Sequence, residues 1–212
     1  MAPPRLFVPG LSHHVYHRGN NSGTVFHDDI DRTVFLLLLG RAAKRGDVKI
    51  HSYVLMTTHY HALVSSPEQR ALPLMMQRLG RGYARYFNQR HHRTGTLWEG
   101  RYQASLVIDE RYWLTCLRYI ERNPVEAHIV NRPEEYVWST YRHHAFGIRD
   151  NLVASHPLYD ALGDTPARRQ AEWRAMCGQA IPPEQLTLIT EALRTSAQLH
   201  GPEFGRGLYP AA

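Results

Sequence analysis

His51-Ser52-Tyr53-Val54-Leu55-Met56-Thr57-Thr58-His59-Tyr60-His61-Ala62-Leu63-Val64 reads as two short apolar strands around a two-residue turn. Side chains alternate faces along a strand, so His59 and His61 share one face and Tyr60 takes the other. Two imidazoles one pleat apart can close on a single divalent metal ion. Downstream, Arg118-Tyr119-Ile120-Glu121-Arg122-Asn123-Pro124-Val125 has helical character. Tyr119 and Asn123 stand four apart there, on one helix face, and Pro124 is expected to help end the helix. A phenol nucleophile and an amide oxygen beside a His-x-His pair form a constellation suited to breaking a phosphodiester.

The strands and helices around this hairpin suggest a plan. Val15 to Arg18 reads as a first strand, followed by the polar loop Gly19 to Thr24. Asp28 and Asp29 precede a helix to about Ala43, with Phe35, Leu36, Leu39 and Ala42 or Ala43 on one face. Residues 48–54 and 59–64 form the hairpin. A helix from about Leu72 to His91 carries the stripe Leu72, Met75, Met76, Leu79, Tyr83, Tyr86 and Phe87. Arg101 to Ile108 is a further strand, and Asp109 caps a helix from Glu110. The order β-α-β-β-α-β-α predicts an α+β fold. It is a split βαβ arrangement, ferredoxin- or RRM-like, with an antiparallel sheet covered by helices.

Residues 1–148 are expected to form this catalytic unit, and 149–212 a linker with a small helical C-terminal extension. Pro157, Gly163 and Pro166 mark the linker over 150–170, and two small helices follow at Glu172–Met176 and Pro183–Leu199.

The chain has 212 residues and a net charge of +6, with a pI of about 9.5. It has no signal-peptide pattern and no apolar run of membrane-spanning length, so a cytoplasmic protein is expected. Two distant cysteines, Cys116 and Cys177, fit a reduced protein without a structural zinc cluster. The positive charge is concentrated: seven arginines and one acid, Glu99, lie between Arg70 and Arg101. Aromatic residues are interleaved with them. Guanidinium groups fork onto phosphate and rings stack on bases, so Arg78, Arg81 and Arg85 are candidate nucleic-acid contacts. Trp98 and Arg101 either contact DNA or pack the sheet edge. Arg18 and Asn20 either read bases or only shape a turn. The pairs His13-His14, His91-His92 and His143-His144 are expected to face solvent or phosphate, and Cys116 to be a small buried apolar residue.

Several segments, in order, resemble the HUH-type single-tyrosine transposases of small insertion sequences, especially the REP-associated tyrosine transposases. They are Tyr16-His17-Arg18-Gly19-Asn20-Asn21, Val54 through Val64, Gly95-Thr96-Leu97-Trp98-Glu99-Gly100-Arg101-Tyr102, Leu117 through Val125, and Trp138-Ser139-Thr140-Tyr141. The resemblance runs from about Val15 to Gly147. It implies Tyr119 as nucleophile, His59 and His61 as metal ligands with Asn123 as the third, and Mg²⁺ or Mn²⁺ as cofactor. It further implies single-stranded DNA, hairpins of palindromic repeats, as partner. The activity implied is cleavage and rejoining through a covalent 5′-phosphotyrosine, in a monomer or a homodimer. The alternative is a domesticated single-stranded nucleic-acid-binding protein without strand transfer.

Overall fold

The computed structural model describes residues 7–199. Its elements in chain order are β1 (Ser12–Arg18), α1 (Asp29–Gly46), β2 (Lys49–Leu55), β3 (His59–Ser65), α2 (Ala71–Arg90), β4 (Gln103–Val107) and α3 (Glu110–Glu126). There follow α4 (Tyr141–Phe146), α5 (Pro157–Asp160), α6 (Pro166–Gly178), α7 (Pro183–Thr195) and β5 (Gln198–Leu199). The sheet order is β2-β3-β1-β4-β5. All pairings are antiparallel except β4 with β5. This is the expected α+β architecture, extended by a fifth strand from the C-terminal segment.

Local sequence explains each boundary that matters for the site. Thr57 and Thr58 turn the β2–β3 hairpin, closed by the Met56 amide donating to the His59 carbonyl. The Asp28 carboxylate accepts from the amides of Ile30 and Asp31 and so starts α1. Asp109 does the same for α3 through the Arg111 amide. Gly19 has no room for a side chain: a Cβ there would lie 2.2 Å from the Gly23 carbonyl oxygen.

Pleat alternation divides the interior into two layers. Val15, Tyr60, Ala62 and Ala104 face α1 and α2, where Phe35, Leu72, Leu79, Tyr83 and Phe87 fill the core. Val54, Leu63 and Val107 face α3 and the C-terminal helices, packing on Trp113, Leu117, Ile120 and Trp173. Cys116 is buried in this second layer and is a free thiol, as is Cys177. No helix of the described residues is long and apolar enough to cross a membrane.

Three features depart from the sequence expectation. The helix carrying Tyr119 runs past Pro124 to Glu126. Proline lacks only its own N–H, and the ladder resumes at once when the Ala127 amide donates to the Asn123 carbonyl. The stretch 150–170, expected as a linker, is packed. The Ala154 amide donates to the Ile50 carbonyl at 2.7 Å, the Tyr53 hydroxyl donates to Asp150, and Tyr159 is buried against His144. Prolines read as linker punctuation instead open α5 and α6. Finally, β1 begins at Ser12 rather than Val15, which draws His13 and His14 into the sheet.

Candidate active site

The β1–β3 register places Tyr16 opposite His61, His14 opposite Leu63 and Arg18 opposite His59. Alternation then sends His14, Tyr16, His59 and His61 to the α3 side of the sheet, and Tyr60 to the other. Tyr119 and Asn123, one helical turn apart on α3, come down on this same patch. The Tyr119 ring meets His61 edge-on, with centroids 5.5 Å apart, and His14 at 5.6 Å. Tyr16 lies 5.3 Å from His59 and 4.8 Å from His61. Asn123 lies close enough to both side chains to act on their titration, lowering the Tyr119 phenol and raising His59 against the larger effect of burial. One chain therefore gathers His59, His61, Tyr119 and Asn123 at one spot.

The electrostatics of this spot suit a metal. Burial pushes His59 down to about 4 and His61 well below its ordinary value. Both imidazoles are thus neutral, with lone pairs free to ligate. Among the described residues no group of three or more His, Cys, Asp or Glu could hold a metal ion. The groups that would hold a divalent ion here are the two neutral imidazoles and the Asn123 amide oxygen, with other positions left for water or phosphate. That set fits Mg²⁺ or Mn²⁺, which accept oxygen ligands and keep several waters. The Tyr119 phenol is raised above its usual value, chiefly by burial and secondarily by Cys116; the neighbouring polar side chains of Thr190 and Asn123 pull it back.

Next to the patch, Tyr16, His17, Arg18, Glu99, Arg101 and Gln103 line a cleft of about 190 Å³. Arg18 is paired with Glu99 across it. Asn20 is exposed on the turn that follows β1. Arg78, Arg81 and Arg85 are exposed on α2, across the sheet from Tyr119. Trp98 is not an open stacking platform. It is 8% exposed, donates its indole N–H to the Gly80 carbonyl at 3.0 Å, and stacks on His17 at 4.3 Å. Arg90, one of the clustered arginines, is held by Asp28 and the buried Asp31 of α1. For Arg90, the acids absent from the arginine-rich segment are supplied from another part of the chain.

The expectation that the histidine pairs face solvent or phosphate fails for three residues, His13, His14 and His144, which are buried. His14 is fully buried in the site, and its Nε2 lies 2.9 Å from the His61 Nδ1. His144 is buried against Glu121. For His14 the signal was its spacing: it precedes Tyr16 by two, so it shares that residue's face.

A histidine pair on an antiparallel sheet, covered by a tyrosine-bearing helix, defines the HUH-type single-tyrosine transposase class. The sequence model of the IS200-like transposases matches residues 7–123, and the chain belongs to that family. A solved REP-associated tyrosine transposase bound to a REP hairpin superimposes with a TM-score of 0.56 at 14% identity, covering 74% of this chain and 92% of that one. A transposase structure from Deinococcus radiodurans R1 has a TM-score of 0.41 at 21% identity, covering 57% of this chain and 97% of that one. No curated protein gives a significant sequence match.

Proposed function

We propose that the protein is a metal-dependent transposase that cleaves and rejoins single-stranded DNA, folded into hairpins at palindromic repeats, through a covalent 5′-phosphotyrosine on Tyr119. The observation that carries this reading is the convergence of Tyr119, His59, His61 and Asn123 within one chain. Bound at His59, His61 and Asn123, Mg²⁺ or Mn²⁺ supplies charge neutralisation and orientation at the scissile phosphate.

The Tyr119 oxygen, having lost its proton to solvent or a nearby base, attacks the phosphorus. A P–O bond to tyrosine forms, the bond to the 3′ oxygen breaks, and that oxygen leaves and takes up a proton as a 3′-hydroxyl. The reverse attack by the same or another 3′-hydroxyl rejoins DNA without an external energy source. Arg18 and Arg101 in the cleft, Asn20 beside it, and Arg78, Arg81 and Arg85 on α2 contact DNA in this reading. Trp98 supports the strand-flanking loop from below. The catalytic groups lie within the unit expected over 1–148, and α7 of the following segment adjoins them, since Thr190 acts on the Tyr119 phenol. In this reading the protein works as a monomer or a homodimer.

The test is a denaturing gel with 5′- and 3′-labelled hairpin DNA from repeats flanking the gene, with Mg²⁺ or Mn²⁺. A metal-requiring protein–DNA adduct that is absent in Tyr119→Phe is the expected result. Cleavage that persists in Tyr119→Phe removes Tyr119 as nucleophile.

A further inference from the structure

His14 sits under the candidate metal site and is fully buried. Its Nε2 faces the Nδ1 of His61 at 2.9 Å, and its ring packs on both His61 and Tyr119. Two neutral imidazoles at this distance share one proton, and either ring can be its donor. If His14 donates, His61 carries its own proton on Nε2 and that nitrogen cannot ligate. If His61 donates from Nδ1, its Nε2 presents a lone pair, and His14 acts as acceptor.

Metal-binding histidines characteristically donate their second ring N–H to a neighbouring acceptor, which fixes tautomer and ring orientation. His59 has a partner at the same atom: its Nδ1 lies 3.0 Å from the Thr58 hydroxyl. Both imidazoles are therefore engaged at Nδ1, which leaves Nε2 of each as the ligating atom. The His14 Nδ1 is itself buried with no hydrogen-bond partner among the described residues. Leaving a buried polar nitrogen unpaired costs about 1–3 kcal/mol. A purely structural core position is filled more cheaply by an apolar ring, so the cost points to a functional constraint.

We propose that His14 is a positioning residue that accepts the Nδ1 proton of His61 and so presents the His61 Nε2 to the divalent ion. This rests on the metal reading of His59 and His61 given above.

The experiment uses the full chain without DNA. Mn²⁺ binding is followed by loss of the free-ion EPR signal, and the histidine tautomers are read by ¹⁵N NMR on metal-free protein. Wild type is compared with His14→Phe, which fills the space without an acceptor, and with His14→Gln, whose amide oxygen replaces Nε2. The expected result is about 10- to 100-fold weaker Mn²⁺ binding in His14→Phe. His14→Gln recovers most of that loss, and wild-type His61 is in the Nδ1–H tautomer. Unchanged Mn²⁺ affinity in folded His14→Phe, or an Nε2–H tautomer of His61 in the wild type, overturns the proposal. A wild type that binds no Mn²⁺, or binds it equally after His61→Ala, overturns the metal reading itself. The tautomer on metal-free protein separately decides whether His14 is the acceptor.

Discussion

The Tyr119 ring stands perpendicular to His61, with ring centroids 5.5 Å apart and planes at 89°. This brings a phenol against a neutral imidazole within one chain. Replacing Tyr119 by Phe keeps the ring packing and removes only the oxygen. Adduct formation is expected to fall by about 10⁴-fold or more, as for other single-nucleophile removals, with the melting temperature little changed. A single-turnover gel assay beside a thermal melt checks both. A variant that loses its fold along with its activity leaves no support for a chemical role of the hydroxyl.

Phenol ionisation sets the pH response of cleavage. Burial raises the Tyr119 pKa above its usual value, so at neutral pH only a small fraction is phenolate. The rate with saturating metal is expected to rise with pH across the neutral to mildly alkaline range, close to tenfold per unit. Thr190, whose hydroxyl donates to the Leu186 carbonyl at 2.8 Å, opposes the upward shift from beside the phenol. Thr190→Val should therefore slow cleavage by about 3- to 10-fold while leaving hairpin affinity unchanged. Equal rates for both proteins across the pH series would remove Thr190 from the site's chemistry.

Much of this site was legible in the sequence because it rests on short-range periodicity. Strand alternation put His59 and His61 on one face, and helical spacing paired Tyr119 with Asn123. What was missed depends on contacts between distant segments. His14 looked solvated because the extra three residues of β1 that bury it are set by pairing with β3 and β4. Trp98 looked available to DNA because its partner, the Gly80 carbonyl, belongs to another element. The stretch 150–170 looked like a linker because its prolines open helices whose docking surface lies on α3 and α4. Local composition does not report what a loop packs against.

Buried neutral histidines make the fold acid-sensitive. His51 lies well away from the candidate ligands, with its ring nitrogens bonded to the Ala154 carbonyl and the Ser65 hydroxyl. Burial lowers its pKa from 6.5 to about 4. Below pH 6.5 the unfolded chain therefore binds a proton that the folded chain refuses. The stabilisation is complete above that pH and is lost as pH falls toward 4, at about 1.4 kcal/mol per unit for one group. Urea midpoints in EDTA should drop between pH 7 and pH 5. In His51→Gln the slope should be shallower by about one proton. A midpoint independent of pH over that range contradicts the burial argument.

Glu121 holds the nucleophile helix from its other side. Its carboxylate is fully buried. One oxygen accepts from the Thr140 hydroxyl at 2.6 Å and faces the His144 Nδ1 at 2.7 Å, and the other accepts the Trp173 indole N–H at 2.8 Å. These contacts join α3 to α4 and α6, so the C-terminal helices are fastened to the element carrying Tyr119. Glu121→Ala strands three buried polar partners at once. A loss of about 3–5 kcal/mol is expected, as for breaking other buried charged networks, read as a lower urea midpoint followed by Trp173 fluorescence. Glu121→Gln keeps acceptor capacity at one oxygen and should lose less than the alanine variant. Trp173→Phe removes one donor while retaining an aromatic ring, so its cost should fall below that of Glu121→Ala. If Glu121→Ala unfolds at the wild-type midpoint, the carboxylate is not what fastens the C-terminal helices to α3.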